Sequence, residues 1–359
     1  MASAERSIER IPIWATALTA ALLVLGFRPR RFATPETDVA MGARDSRRGR
    51  LAETPSEIPA RGWKDILWRV YARINDCRII AVAAGVTFYA LLAIFPAVAA
   101  LISIYGLFAD PGTISQHLDS VSSFVPGGAI DIIRDQMNRL ASQGAGTLGL
   151  AFIISLAISL WSANSGIKAL FDALNVVYGE SEKRSFARLN LISLGLTLAA
   201  IAFLIVALAL VAVVPIALQY IGLAQQTEWI VTIARWPLLF VAVSFALAVL
   251  YRYGPSRNKP QWRWVTWGSV FAALAWIAVS LLFSWYAANF GSYNKTYGSL
   301  GAIIGFMTWI WLSATVILVG ATIDAETENQ TARDTTAAPP KPMGQRGAVM
   351  ADTLGAPQD

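Results

Sequence analysis

The chain is poor in histidine and cysteine, two side chains that often act as bases, nucleophiles and metal ligands. The 359 residues include one histidine, His117, and one cysteine, Cys77. A single cysteine excludes a disulfide within the chain and a zinc site built from several thiolates. The sequence also contains no GxxxxGK[ST], HExxH or GxSxG motif. We therefore predict no catalytic site, no bound metal and no cofactor.

The remaining candidates are polar residues and a proline within or beside long apolar segments. Hydrogen-bonding side chains at membrane depth are costly, and such side chains together with broken helices line the paths of transporters. The predicted path residues are Thr87, Tyr89 and Pro96 in the first apolar segment, Asn164, Lys168 and Asn175 at and after the second, and Tyr293, Asn294 and Tyr297 at the opposite face. Hydrogen bonding between helices explains the same residue types without any solute.

Six long apolar segments must position these residues. The first contains no charged residue over 31 positions, whereas about 20 apolar residues suffice to cross a bilayer. It must therefore tilt, kink or protrude, and Pro96 near its middle predicts a kink. The predicted spans are residues 79–109, 144–163, 189–218, 229–251, 265–288 and 299–323. They indicate an all-α fold, a polytopic membrane helical bundle with six core transmembrane helices.

The composition supports a bilayer as the main solvent of the chain. Hydrophobic residues make up 55% of it and charged residues 14%, with a mean hydropathy of +0.51. These values leave too little charge for an ordinary soluble surface. The six spans define a membrane domain over residues 61–325.

The segments outside this domain have other predicted roles. Residues 1–27 contain an apolar stretch, 11–27, flanked by arginines. It is a possible seventh, amino-terminal transmembrane segment, because its length is at the lower limit for a span; a helix in the membrane interface and a wrongly assigned start of translation are the alternatives. Residues 28–60 are predicted to be a disordered basic linker and residues 326–359 a disordered cytoplasmic tail, from their charged, proline-containing and small residues.

An amphipathic helix is predicted between the linker and the first span. Apolar residues recur there at steps of three and four, which is the helical period. They are Trp63, Ile66, Leu67, Val70, Tyr71 and Ile74. Such a helix could lie on the inner membrane surface or pack on the bundle as a lead-in to the first span.

Lysine and arginine are unevenly distributed between the two sets of connecting segments. Thirteen lie in residues 61–78, 168–188 and 252–263, and three lie in the segments that alternate with them. Because basic residues favour the cytoplasmic side, both ends of the six-span core are predicted to be cytoplasmic. We therefore attribute the net charge of +6 to the orientation of the protein in the membrane and to contacts with anionic lipid head groups. We predict no nucleic-acid partner. The sequence also permits a homo-oligomer.

Three stretches taken together resemble the BrkB/YihY family of bacterial inner-membrane proteins. They are AAGVTFYALLAIFPA, GIKALFDALNVVYGE followed by Arg184-Ser185-Phe186, and YGSLGAIIGFMTWIWLSATVILVGA. The resemblance covers residues 61–328 in the right order. It implies a six-span protein of the bacterial inner (plasma) membrane, in a family once labelled ribonuclease BN, with some members called virulence factors, and often suspected of transport.

Transport of an unknown solute or lipid, by a transporter or channel-like protein, is the function we predict from these patterns. It accounts for polar clusters near both membrane faces without a catalytic set. A scaffolding role in the cell envelope is the alternative. Ribonuclease activity is not predicted, because phosphodiester hydrolysis needs a placed acid and base or bound metal ions. The basic segments offer Asp172, Glu180 and Glu182 amid basic residues, with no histidine.

Overall fold

A computed structural model of the chain describes residues 47–105, 150–220, 224–290, 299–337 and 339–358. All of them belong to one compact unit, Asp45–Asp359. Several predictions fall on residues outside this set. They concern the apolar stretch 11–27, His117, and the path residues Tyr293, Asn294 and Tyr297.

The described residues form α-helices joined by turns, with no β-strand among them. The helices are α1 (Ala60–Asp76), α2 (Ile79–Tyr105), α3 (Leu150–Tyr178), α4 (Phe186–Tyr220), α5 (Ala224–Tyr253), α6 (Thr266–Phe290), α7 (Ser299–Glu328) and the one-turn α8 (Val349–Asp352). Short 3-10 helices cover Pro55–Glu57 and Trp262–Trp264. The all-α prediction is therefore confirmed for the part of the chain that the structure describes.

Among the described residues, three helices are long and apolar enough to cross a membrane. They include Phe186–Ile205 of α4, Thr266–Tyr286 of α6 and Ile303–Glu328 of α7. Helices α1 and α2 together make a fourth candidate, bent by 61° at the break between them. The apolar part of α5, Pro237–Tyr253, is shorter. The count of six spans thus stays a prediction.

Helix α7 lies at the centre of the packing, in contact with α1, α2, α3 and α6. Its closest approach to α6 is at two glycines. A Cβ atom on Gly268 would lie 2.2 Å from the carbonyl oxygen of Gly320, and one on Gly320 would lie 2.7 Å from that of Gly268. Small residues let helix backbones approach this closely, so the glycine pair sets the distance between α6 and α7.

Helices α2 and α3 share the most extensive interface between described elements. A Cβ atom on Gly166 of α3 would lie 3.2 Å from the Cβ of Ala93 on α2. Helix α2 continues through Pro96 to Tyr105. The bend that the structure describes lies before α2, at its junction with α1.

Helix α1 packs on the bundle and also presents an apolar outer surface. Ile66 and Val70 are buried in a cluster with Ile323 of α7, which is the lead-in arrangement. Its neighbouring apolar residues are more than half exposed: Leu67, Trp68 and Tyr71. The buried face therefore matches the lead-in role, and the role on the inner membrane surface stays a prediction for the exposed face.

The tail after residue 325 is folded, so the prediction that residues 326–359 are disordered was wrong for the described part. Met350 and Ala351 are buried. Arg346 donates hydrogen bonds to the carbonyl oxygens of Ala332, Arg333 and Ala351 at 2.6, 3.1 and 2.6 Å. Composition suggested disorder because prolines and small residues bury little apolar area, but here paired backbone and charged groups order the segment.

The end of the predicted linker is also packed. Ala52 and Ile58 are buried, and the backbone N–H of Ala332 donates to the carbonyl oxygen of Arg50 at 2.8 Å. The prediction of disorder for residues 28–60 was therefore wrong for residues 47–60. These residues and the tail order each other, a contact between distant segments that local composition cannot reveal.

Candidate functional site

A line of buried polar residues runs between α3 and α4. Asn190, Ser193 and Thr197 recur at intervals of three and four, which places them on one face of α4. Asn164 of α3 is fully buried and accepts a hydrogen bond from Thr197 Oγ1 at 3.4 Å. The three residues on α4 are at most 9% exposed. We call these four residues the polar seam.

Two polar atoms of the seam have no hydrogen-bond partner among the described residues. They are Nδ2 of Asn164 and Oδ1 of Asn190. The hydroxyl of Ser193 donates to the carbonyl oxygen of Leu189 at 2.8 Å. The one hydrogen of the Thr197 hydroxyl is shared between the carbonyl oxygen of Ser193 at 2.9 Å and Asn164 Oδ1 at 3.4 Å. A buried polar group left without a partner costs about 1–3 kcal/mol. The seam therefore has one donor and one acceptor to offer a polar molecule.

Two other predicted path residues, Lys168 and Asn175, are held by protein groups. The ammonium of Lys168 lies 4.9 Å from the ring centre of Trp161. Asn175 Oδ1 accepts from the backbone N–H of Ser256 at 2.7 Å, and Asn175 Nδ2 donates to Glu182 at 3.3 Å. Asn175 thus joins α3 to the segment after α5, which favours packing over solute contact for this residue.

The candidates on α2 differ in their surroundings. Thr87 is buried, and its hydroxyl donates to the carbonyl oxygen of Ala83 within the same helix at 2.8 Å. Tyr89 has a half-exposed side chain that packs edge to face against Phe88, with ring centres 5.4 Å apart. These contacts leave the hydroxyl of Thr87 satisfied and the ring of Tyr89 on the surface of the described bundle.

The three basic segments come together at one end of the bundle. Arg73 Nε donates to the carbonyl oxygen of Val177 at 2.8 Å, and the backbone N–H of Lys183 donates to Ser256 Oγ at 2.9 Å. The tail lies across them, since the backbone N–H of Val349 donates to Glu180 at 2.7 Å. We call this the basic end, made of residues 61–78, 168–188, 252–263 and the tail.

The basic end contains a fully buried ion pair. Arg257 donates two hydrogen bonds to the carboxylate of Glu328, at 2.7 and 2.8 Å, and the two side chains are 1% and 0% exposed. Burial alone would lower the pKa of Arg257, but the Glu328 carboxylate raises this pKa above its ordinary value. The guanidinium also lies 4.0 Å from the ring centre of Tyr178, and burial raises the pKa of that phenol well above its usual range.

A second acidic residue of α7 connects this helix to α1. Glu326 accepts from Arg69 Nε at 2.7 Å and from Arg73 Nη1 at 3.3 Å. Arg69 and Arg73 belong to the basic residues from which we predict the orientation of the chain and its contacts with lipid head groups. In the structure, both also bind a carboxylate of the protein itself. The basic residues that remain exposed on and around α1 are Arg61, Lys64 and Arg78.

The acidic residues of α7 did not emerge from the sequence as site candidates. Asp324 is fully buried, and its Oδ1 accepts from the backbone N–H of Gly268 at 2.7 Å. Its Oδ2 has no hydrogen-bond partner among the described residues. The signal that could have found these residues is their spacing: Asp324, Glu326 and Glu328 follow a long apolar run at every second position, opposite thirteen basic residues.

Relatives of this chain are known from curated proteins. The ribonuclease-like protein YfkH of Bacillus subtilis is 30% identical over 248 residues, which are 68% of this chain and 88% of YfkH. The UPF0761 membrane protein Mpe_A1422 of Methylibium petroleiphilum is 24% identical over 77% of this chain and 64% of its own length. The UPF0761 membrane protein Bpet3042 of Bordetella petrii is 24% identical over 70% and 55%, respectively. No solved structure matches the chain.

A family model also matches, and its limits agree with the fold. The model described as Virulence factor BrkB aligns with residues 70–344. This range runs from within α1, through the described helices of the bundle, into the folded tail. Since the match covers well over half of the chain, the protein belongs to the Virulence factor BrkB family of membrane proteins.

Proposed function

We propose that this protein is a multi-pass transporter or channel-like protein that moves a small polar solute across the bacterial inner membrane. The polar seam is the observation that supports it. Thr197 lies 11 residues after Phe186, which is about 16 Å along a helix. In a hydrocarbon core of about 30 Å this depth is close to the midplane, where the substrate sites of many transporters lie.

The seam offers hydrogen bonds but no net charge. Asn164 supplies an amide donor and Asn190 a carbonyl acceptor, both without protein partners among the described residues. A neutral or zwitterionic solute with hydroxyl or amide groups would satisfy both atoms without burying an uncompensated charge. Of the two predicted classes of transported molecule, solute and lipid, this chemistry favours a small polar solute.

Flux into liposomes that contain the full chain tests the proposal. Asn164→Leu removes the free amide at similar volume, and Thr197→Val removes the hydroxyl that donates to it. Both variants should reduce the uptake of the transported solute at least tenfold. Thr308→Val is the matched control, because within the described chain the Thr308 hydroxyl bonds only its own helix, at the carbonyl oxygen of Ile304. It should leave uptake unchanged.

The result that would refute transport is also defined. Wild-type liposomes that move no ion, metabolite or lipid of a broad panel beyond empty liposomes would exclude it. Uptake that persists in Asn164→Leu would instead keep transport and exclude the polar seam as its path.

We further propose that the basic end is cytoplasmic and contacts anionic lipid head groups through α1. Arg61, Lys64 and Arg78 are exposed beside the exposed Trp68 and Tyr71. Basic and aromatic side chains in this combination suit the membrane interface. The exposed apolar helix surfaces suit either lipid or a second copy of the chain, so a homo-oligomer stays part of the proposal.

Scaffolding in the envelope is the second candidate, and the folded tail favours it. The tail gives the basic end a built surface rather than a mobile one, and such a surface could bind a partner protein. Crosslinking in cells followed by mass spectrometry separates the two functions. A stable partner in fixed stoichiometry, together with liposomes that show no flux, would favour the scaffold.

The ribonuclease-like name of YfkH does not lead us to propose nuclease activity here. Glu180 accepts from Lys183 at 2.6 Å and from the N–H of Val349 at 2.7 Å, so its carboxylate has structural partners. Burial raises the pKa of Asp172. No group of three metal-ligating side chains occurs among the described residues. Purified protein whose RNA cleavage was lost on Asp172→Asn or Glu180→Gln would overturn this inference.

A further inference from the structure

Asp324 is buried near the basic end and forms no ion pair with the described residues. Its side chain is fully buried, and one oxygen accepts from the N–H of Gly268 while the other has no hydrogen-bond partner in the described chain. The glycine contact between α6 and α7 encloses it, since a Cβ atom on Gly268 would lie 2.7 Å from Asp324 Oδ1. Within the described chain, the second oxygen, Oδ2, forms neither a hydrogen bond nor an ion pair.

The charged groups around Asp324 form their ion pairs with other residues, although Arg257 Nε has no hydrogen-bond partner in the described chain. The nearby titratable groups are Tyr178 of α3, Tyr251 of α5, Arg257 and Glu328. Arg257 gives both of its terminal nitrogens to Glu328. From α1, Arg69 and Arg73 bind Glu326, whereas the described residues of α2 and α6 include no charged side chain. Arg263, before α6, bonds Gln261, and Asp352 of α8 accepts backbone N–H groups of the tail.

An ionised carboxylate in this position would be a buried charge with no ion-pair partner in the described chain. Such a charge is far more costly than the neutral acid, and proteins avoid it by protonation, pairing or metal binding. Metal binding fits poorly, because hard cations require several oxygen ligands. The hydroxyl of Tyr251 already donates to the carbonyl oxygen of Ile317 at 2.7 Å. A proton, in contrast to a metal ion, requires only one acceptor atom, and Oδ2 of Asp324 can be that atom.

We propose that Asp324 is a proton-binding site, with the proton on Oδ2. The step is a simple association: the carboxylate accepts one proton, and the acid so formed can donate a hydrogen bond. The hydroxyl of Tyr178 belongs to the same cluster and is likewise fully buried without a hydrogen-bond partner in the described chain. The proton's use as the coupling ion of transport rests on the proposed function; the presence of the proton does not.

Infrared spectroscopy of the purified full chain tests for the proton directly. Wild-type protein at neutral pH should show the C=O stretch of a protonated carboxylic acid, and the band should shift down in D₂O. Asp324→Asn should lose this band. Glu326→Gln is the matched control two residues away, and it should keep the band because Glu326 is paired with arginines. If Asp324→Asn fails to fold, Asp324→Glu should move the band instead of removing it.

Thermal unfolding separates a proton from a metal ion. For the proton, the midpoint of the wild type should not depend on whether the salt is sodium or potassium chloride, and Asp324→Asn should unfold close to the wild type. A midpoint that rises with one cation in the wild type but not in Asp324→Asn would overturn the proposal in favour of a metal site. A carboxylic acid band that is unchanged in Asp324→Asn, or that does not shift in Asp324→Glu, would also overturn it.

The outcomes for the site and for transport can be told apart. A protonated Asp324 in a protein that moves no solute would keep this site and refute the proposed function. Solute flux that is independent of the proton gradient and equal in Asp324→Asn would keep transport and exclude the proton as its coupling ion.

Discussion

Asn164 and Asp324 are both fully buried, and each keeps one polar atom without a partner in the described chain. Asn164 could be predicted as a candidate because a carboxamide next to a long apolar run stands out in the sequence. Asp324 could not, because a carboxylate at the end of a span is ordinary when water covers it. Its burial depends on the close contact with Gly268 of α6, and this contact is not visible in the local sequence.

The Arg257–Glu328 pair provides a test at the scale of single residues. Glu328→Gln and Arg257→Met should each lower the free energy of unfolding by about 3–5 kcal/mol, because removal of one partner leaves the other charge buried alone. The double variant Arg257→Met/Glu328→Leu should recover most of this loss. Denaturant unfolding of detergent-solubilised protein measures the differences.

The control for this pair is an exposed arginine of the same end. Arg263 is exposed and bonds only the side chain of Gln261 among the described residues. Arg263→Met should therefore change the free energy of unfolding by no more than about 0.5 kcal/mol. Single variants of the buried pair that behaved like this control would contradict the burial that the structure describes.

At the scale of elements, hydropathy predicted where apolar helices occur better than where they end. The second span was predicted to end at residue 163, yet α3 continues to Tyr178. Hydropathy ends a span at the first charges, but a helix can continue when those charges find partners. The ammonium of Lys168 lies over the ring of Trp161, and the side chain of Asn175 forms hydrogen bonds with Ser256 and Glu182. Hydropathy likewise carries no information on the backbone contact between α6 and α7.

This contact between α6 and α7 can be tested with one methyl group. Gly268→Ala should destabilise the protein by about 1–3 kcal/mol, as overpacking does, because its Cβ would meet the backbone of Gly320 and the side chain of Asp324. Gly195→Ala on α4 is the matched control, since nothing in the described chain lies within 4 Å of a Cβ placed there. This control should be neutral or slightly stabilising, since alanine favours a helix more than glycine does. Thermal unfolding of both variants measures the difference.

The folded tail is the second element that can be tested. Arg346→Met should lower the free energy of unfolding by about 2 kcal/mol or more, since three carbonyl oxygens lose a charged donor. Removal of residues 339–359 should have a larger effect and should make the end of α7 sensitive to protease. Lys341→Met, at an exposed position, is the control. Rapid proteolysis of the wild-type tail at the same rate as a denatured chain would show that the tail is not packed.

At the scale of the whole molecule, the count of basic residues predicted which connecting segments share one side. The described contacts bring the three basic segments to the same end, as the alternation of spans requires. The count could not reveal that four acidic residues pair with these bases. They are Glu180, Glu182, Glu326 and Glu328.

Cys77, the single cysteine, can report which side of the membrane the basic end occupies. A membrane-impermeant maleimide should label Cys77 in inverted vesicles but not in intact right-side-out cells, and Cys77→Ser should abolish the signal. Burial raises the pKa of this thiol. Less thiolate is therefore present at neutral pH than for a free cysteine, and the labelling rate should keep rising at higher pH than for a denatured sample. Labelling of intact cells would reverse the proposed orientation.

The position of the tail in the chain has a consequence for biosynthesis. Residues 339–358 leave the ribosome only after every described helix of the bundle has been made, yet Asn258 and Asn329 receive partners from them. Insertion of the helices and packing of the tail against the basic end are therefore separate events in time, because domains form as the nascent chain emerges. Until translation reaches these residues, the carboxylate of Glu180 and the guanidinium of Arg69 lack partners that they have in the finished protein.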